Sequence, residues 1–158
     1  MGKRLGAVSV AVAVVALAVG VVSPALGSSG AASEQRTIRV TAVVTELSLV
    51  DVGAQGPSLG DEIVFAEKLL NSGNQEVGHQ GAVCTTVSLA RHEAQCNATY
   101  SFPGGQITAQ ALIILGSNAP YDAPITGGSG KYQGAEGEIH VRSISATTGI
   151  LTFHLQDS

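Results

Sequence analysis

The chain has 158 residues, of which 8 are basic and 12 acidic, so its formal net charge is −4 at pH 7. A net negative charge disfavours contact with nucleic acids and with anionic membrane surfaces, and we predict neither as a partner. The chain has 3 Phe, 3 Tyr and no Trp, so its hydrophobic core has to consist mainly of aliphatic side chains.

The first part of the chain has the pattern of a secretory signal peptide over residues 1–27. Lys3 and Arg4 precede an apolar run at residues 5–22, and small residues follow up to Gly27. The run approaches the length of a membrane span, so a retained anchor is the alternative. We therefore predict a secreted or extracytoplasmic protein, with a flexible linker at residues 28–36 and one domain at residues 37–158.

The domain begins with strand-like segments. Residues 37–51 are rich in Val, Thr, Ile and Leu and predict a long first strand. Residues 53–60 predict a loop, whereas residues 61–70 fit either a strand or a short helix. After a break at residues 71–74, a hairpin is predicted from the segments 80–89 and 94–102.

The second half of the domain continues this pattern. Further strands are predicted at residues 106–115, 138–145 and 150–156, and residues 116–124 are predicted to be irregular. About seven or eight short strands with frequent turn signals indicate an all-β sandwich or barrel. We favour the barrel, because aliphatic residues can fill a small barrel and because closure removes exposed sheet edges.

Cys84 and Cys96 are the only cysteines. In an exported protein such a pair is more often a disulfide than a metal site or two free thiols. With a loop at residues 89–91, the two cysteines lie directly opposite each other in the predicted hairpin, at a Cα separation of about 5 Å that suits a disulfide. We predict this disulfide, with a free Cys84 thiol as the alternative. The 4 histidines show no metal-binding spacing, and no metal is predicted.

A glycine-rich segment, ITGGSGKYQGAEG at residues 125–137, raises the question of a phosphate-binding loop. A P-loop requires Ser or Thr directly after its lysine, and here Tyr132 follows Lys131. A dinucleotide fingerprint would precede a helix, whereas strand-like alternation follows this segment. The glycines therefore need another explanation.

The order of several motifs resembles that of the allene oxide cyclases of plants. The motifs are GDEIVF at residues 60–65, GAVC at 81–84, ATYSF at 98–102 and the glycine-rich segment. The chain is similar, more loosely, to dirigent proteins through VGHQG at residues 77–81 and GGSGKY at residues 127–132. Both families share an eight-stranded antiparallel β-barrel with a ligand-binding lumen, so the resemblance implies that fold. It also implies that the glycines form a sharp return between strands.

The resemblance implies candidate site residues as well. A glutamate on the first strand of the cyclases corresponds to Asp51, which becomes the predicted catalytic carboxylate, with capping of the next turn as the alternative. The pocket cysteine of the cyclases corresponds to Cys84. Two asparagines and a lumen tyrosine of the cyclases are replaced in this chain by Gly53, Glu67 and Ile113.

Five further residues are candidates for contact with a ligand. Pro57 and Ser58 correspond, in reversed order, to a Ser-Pro pair in the loop after the first strand of the cyclases. His79 takes the place of an arginine of the dirigent motif, with an ordinary surface histidine as the alternative. Tyr100 is a candidate lumen hydroxyl, as is Tyr121, with simple packing as the alternative.

The function implied by the resemblance is that of an exported isomerase or cyclase without a cofactor, acting on a hydrophobic, unsaturated or oxygenated small molecule in the lumen. The alternative is a non-catalytic dirigent-like or carrier barrel, which binds a lipophilic ligand and leaves its oxidation to a partner oxidase. A third hypothesis is an oligomeric structural protein without a ligand. Members of both families form trimers, which implies a homo-trimer here.

Overall fold

The computed structural model describes residues 35–156, and the predicted signal peptide lies outside the described residues. Consecutive strands pair antiparallel and the last strand pairs with the first, which confirms the predicted eight-stranded antiparallel barrel. A short 3-10 helix, Gly130–Tyr132, follows the sixth strand. Within residues 35–156 no helix is long and apolar enough to cross a membrane. The strands are β1 (Gln35–Val50), β2 (Glu62–Leu70), β3 (Glu76–Ser88), β4 (Glu93–Phe102), β5 (Gly105–Ile114), β6 (Tyr121–Gly128), β7 (Glu136–Ser145) and β8 (Thr148–Gln156).

Three segments differ from the sequence prediction or decide an alternative that it left open. The ambiguous segment at residues 61–70 is a strand, because β2 pairs along its length with β1 and β3. Residues 35 and 36, predicted as linker, already pair with β8. The prediction of an irregular segment at residues 116–124 was wrong from Tyr121 onward, where β6 begins. Pro124 and the glycines hid the alternation in which Ala123 and Ile125 are buried.

The strand β1 shapes one end of the barrel. Its pairing with β8 ends at Val43, and a bulge at Thr45 shifts its register on β2. The hydroxyl of Thr45 donates a hydrogen bond of 3.1 Å to the carbonyl oxygen of Ala66, on β2. The second half of β1 therefore projects with β2 beyond β8 and leaves this end of the barrel open.

An aromatic cluster closes the opposite end. Phe153 is fully buried, with the ring of Tyr100 at 4.9 Å and that of Phe102 at 5.5 Å, both in edge-on geometry. Tyr132, in the 3-10 helix, packs beside Phe102 and lies under the guanidinium group of Arg36. Four of the six aromatic residues of the chain thus form the floor of the barrel, so the space above them depends mainly on smaller side chains.

The glycine-rich segment makes a tight return beneath this floor, as the sequence predicts. Gly130 has a φ of 59°, in the left-handed region. A Cβ atom at Gly128 would collide with the carbonyl oxygen of Tyr132. These glycines let backbone segments approach closely, and they serve the architecture of the barrel.

The predicted disulfide between Cys84 and Cys96 is confirmed. The two residues are direct partners across the β3–β4 hairpin. The connecting loop covers residues 89–92 and is one residue longer than predicted, because an irregularity between Thr86 and Ser88 takes up the extra residue. The register around the cysteines is therefore unchanged.

Removal of the disulfide is expected to destabilise the barrel. The double variant Cys84→Ala/Cys96→Ala should lose about 2 to 3 kcal/mol of unfolding free energy, because the bridge restricts the unfolded chain. Chemical denaturation with and without dithiothreitol measures this loss. Wild-type protein should lose a similar amount on reduction, and the double variant should not respond. An unchanged wild-type midpoint after reduction would contradict the expectation.

Candidate functional site

Two adjoining cavities occupy the lumen above the aromatic floor. The first, here called the disulfide cavity, has a volume of about 140 Å³ and is lined by both cysteines. The second, the rim cavity, has a volume of about 220 Å³ and extends to the turn between β7 and β8. The two cavities share a wall formed by Phe65, Gln80, Tyr100, Ile113 and Tyr121.

Small side chains create the disulfide cavity. Ala82, Ala98 and Ala109 are neighbours in register on β3, β4 and β5, and all three line the cavity. Side chains of a strand alternate between its two faces, so these alanines form one inward-facing layer. A layer of alanines cannot fill a barrel of eight strands, and the lumen stays open at this level.

A polar row lies next to the alanine layer. The strand register pairs Glu67 with Gln80, and Gln80 with Tyr100. Directly paired residues have Cβ atoms about 4.5 to 5.5 Å apart and on the same face of the sheet. The three side chains all contact the rim cavity. The register thus brings a carboxyl, a carboxamide and a phenol together in the lumen, next to the layer of alanines.

Glu67 is the titratable group of this row. Burial disfavours its charged form and raises the pKa of its carboxyl from an ordinary value of 4.5 to about 7. The ion pairs among residues 35–156 are Arg91 with Glu93 and His140 with Asp122, so no basic side chain there offsets the cost of ionising Glu67. Both protonation states of Glu67 are therefore populated near neutral pH.

Two phenols accompany this carboxyl. Burial raises the pKa of Tyr100, and the charges of Tyr121 and Glu67 raise it further. Burial and the charge of Glu67 also raise the pKa of Tyr121, which stands on β6 at the edge of both cavities. Both hydroxyls keep their protons at neutral pH and can donate hydrogen bonds inside the lumen.

The structure does not place Asp51 in the lumen. Its side chain is exposed in the loop after β1, where a carboxylate oxygen accepts a hydrogen bond of 3.1 Å from the backbone N–H of Gly56. This is the capping geometry that the sequence left as the alternative. The catalytic role of Asp51 assumed a desolvated carboxylate, and the structure gives that environment to Glu67.

Three other predicted residues also lie outside both cavities. Pro57 and Ser58 belong to the loop that follows β1, and the backbone N–H of Ser58 donates a hydrogen bond of 2.7 Å to the carboxylate of Asp61. His79 is exposed on β3, next to the inward-facing Gln80. Loop geometry and strand alternation, respectively, direct these residues away from the lumen.

The remaining predicted residues do come together. Glu67, Cys84, Tyr100 and Ile113 all line the lumen. Sequence reasoning missed Gln80, which is 5% exposed and contacts both cavities. The available signal was alternation, since Gln80 and Cys84 lie four positions apart on β3 and so share a face, and the resemblance already assigned Cys84 to the pocket.

The raised pKa of Glu67 has a consequence for stability. Between pH 4.5 and about 7 the unfolded chain releases this proton while the folded chain retains it, so stability falls as pH rises through this window. The variant Glu67→Gln has no carboxyl to lose this proton. Its melting temperature relative to wild type should therefore rise by on the order of a few °C from pH 4.5 to pH 8.

The matched control is Glu46→Gln, which removes an exposed carboxylate of β1. Thermal unfolding followed by circular dichroism at both pH values compares the two variants. If Glu67→Gln and Glu46→Gln respond to pH in the same way, Glu67 is not a desolvated carboxyl.

Comparison with solved structures finds the same fold in several proteins. A pyocyanin demethylase is 26% identical, with a TM-score of 0.67 over 77% of this chain and 100% of its own. The Diels-Alderase AbmU from Streptomyces koyangensis is 15% identical, with a TM-score of 0.67 over 78% of this chain and 64% of its own. The pterocarpan synthase dirigent protein GePTS1 is 17% identical, with a TM-score of 0.59 over 78% of this chain and 86% of its own.

No curated protein matches the sequence. The family model described as "Allene oxide cyclase barrel like domain" matches residues 38–153, which is nearly the whole barrel. The chain therefore belongs to the family of allene oxide cyclase barrel-like domains.

Proposed function

We propose that the barrel binds a hydrophobic, unsaturated or oxygenated small molecule in its lumen and isomerises or cyclises it without a cofactor. The observation that carries this proposal is the position of Glu67, a carboxyl inside the lumen whose pKa is raised by burial to about 7. A group that titrates near the working pH is suited to both donating and accepting a proton.

The shape of the lumen supports binding of such a molecule. Small-molecule sites are typically concave and apolar, with a few polar groups that fix the orientation of the ligand. At the open end, the exposed Leu47 and Leu49 of β1 pair with Phe65 and Ile63, respectively, which line the disulfide cavity. Because paired residues share a face of the sheet, these leucines extend the apolar lining to the mouth.

The proton chemistry follows from the environment of Glu67. A bound apolar ligand expels water, which favours the neutral carboxyl still further. Glu67 then donates its proton to a carbon or oxygen atom of the substrate, and the resulting cation loses a proton from a neighbouring carbon to the carboxylate. The double bond moves and the elemental composition stays the same. The hydroxyls of Tyr100 and Tyr121 remain protonated and can donate to a substrate oxygen.

The solved structures with this fold also support a small-molecule substrate. Their names describe a demethylase of pyocyanin, a Diels-Alderase and a pterocarpan synthase. Each name refers to a reaction of an organic molecule. The dirigent protein among them supports the dirigent-like alternative, in which the partner oxidase stays a prediction. The homo-trimer stays a prediction.

Export of the protein is part of the proposal. The support is the disulfide between Cys84 and Cys96, since disulfides persist mainly in oxidising compartments outside the cytosol. The signal-like residues 1–27 agree with this location.

The test is mass-resolved chromatography of a lipophilic extract of the source organism after incubation with the protein. Wild type and the control Glu46→Gln should produce a new peak of unchanged mass, and Glu67→Gln should slow its formation about 100-fold or more, because general acid catalysis is lost. Equal product from Glu67→Gln would contradict the role of Glu67. Compounds that are retained by all three proteins and released unaltered would favour the carrier or dirigent alternative.

A further inference from the structure

One buried polar atom of the lumen lacks a partner. Gln80 is 5% exposed, and its side-chain oxygen Oε1 has no hydrogen-bond partner among residues 35–156. An unpaired buried acceptor costs about 1 to 3 kcal/mol, which a protein retains only where something else offsets it. Gln80 therefore lowers the stability of the fold at an inward position that Leu or Met could fill.

The position of Gln80 indicates what could pair with it. Gln80 belongs to the wall shared by the disulfide cavity and the rim cavity. Tyr100 is its direct partner on β4 and carries a hydroxyl, yet this hydroxyl does not donate to Gln80 Oε1. No described residue donates to this oxygen, which leaves it available to a donor from a molecule inside the lumen.

The disulfide cavity sets the size of the apolar part of that molecule. Its volume of about 140 Å³ is comparable to that of an engineered apolar cavity of about 150 Å³ that binds benzene. One six-membered ring therefore fits beside the alanine layer. The rim cavity, with about 220 Å³, leaves room for the remainder of the ligand.

We infer that Gln80 selects small cyclic molecules that carry a hydroxyl or an N–H group. This inference rests on the proposed ligand-binding lumen. The ring lies in the disulfide cavity, and its hydroxyl or N–H donates a hydrogen bond to Gln80 Oε1. The same contact holds the ring next to Glu67, the other cross-strand partner of Gln80. Gln80 is thus a specificity-determining and positioning residue.

A matched pair of probes tests this inference: 2-naphthol, which has a hydroxyl donor, and 2-methoxynaphthalene, which has the same rings without the donor. Isothermal titration calorimetry measures the dissociation constants of both. Wild type should bind 2-naphthol about 10-fold more tightly, as expected for one buried hydrogen bond. Gln80→Met should bind both probes with nearly equal affinity.

A control variant separates Gln80 from other causes. Gln106→Met changes an exposed glutamine of β5 and should keep the 10-fold preference. Gln80→Met should melt at or above the temperature of wild type, because it removes an unpaired polar group, whereas a structural hydrogen bond would give a clear loss.

The outcomes distinguish the inference from the proposed function. If wild type binds both probes equally, or if Gln80→Met keeps the preference, the role of Gln80 is wrong while the lumen still binds ligands. If wild type binds neither probe, the proposed ligand-binding lumen and the inference both fail. The wild-type comparison needs no variant, so the inference can be rejected even if Gln80→Met does not fold.

Discussion

The cross-strand register from β2 to β4 is the constraint on which the candidate site depends. It aligns Glu67, Gln80 and Tyr100 in one inward row and Ala82 and Ala98 in the next layer. The alanines leave space for the disulfide cavity, and Glu67 is partly buried at the adjoining rim cavity, without an ion-pair partner in the described barrel. Desolvation then raises its pKa. A register shift of one residue would turn the whole row outward.

One end of the barrel stabilises the fold, and the other end carries the candidate site. At the closed end, Phe153 and its aromatic neighbours form a dense core beneath which the glycines make their tight return. At the open end, the long β1 projects past β8, and the disulfide between Cys84 and Cys96 fixes the β3–β4 hairpin beside the mouth. A rigid floor and a crosslinked mouth together hold an open cavity that hydrophobic collapse would otherwise tend to fill.

The resemblance to the cyclases implies the eight-stranded barrel, and local patterns in the sequence predict most of its strands and the disulfide, because strand alternation and hairpin spacing are local properties. They predict the site less well. Asp51 and Glu67 both lie on or next to apolar strands. Asp51 follows the end of β1 and is exposed, whereas Glu67 lies within β2, where the closure of the barrel buries its carboxyl. Gln80 was missed because its lack of a hydrogen-bond partner depends on what surrounds it in three dimensions.

The proposed chemistry depends on one property of the lumen, which keeps the carboxyl of Glu67 protonated up to neutral pH. The most direct measurement is a carbon-13 NMR titration of protein labelled at the glutamate carboxyl carbons, with Glu67→Gln to assign the resonance. We expect one resonance that titrates with a midpoint near pH 7 and is missing from the variant. A midpoint near the ordinary value of 4.5 would contradict the account, because Glu67 would then be a solvated carboxylate.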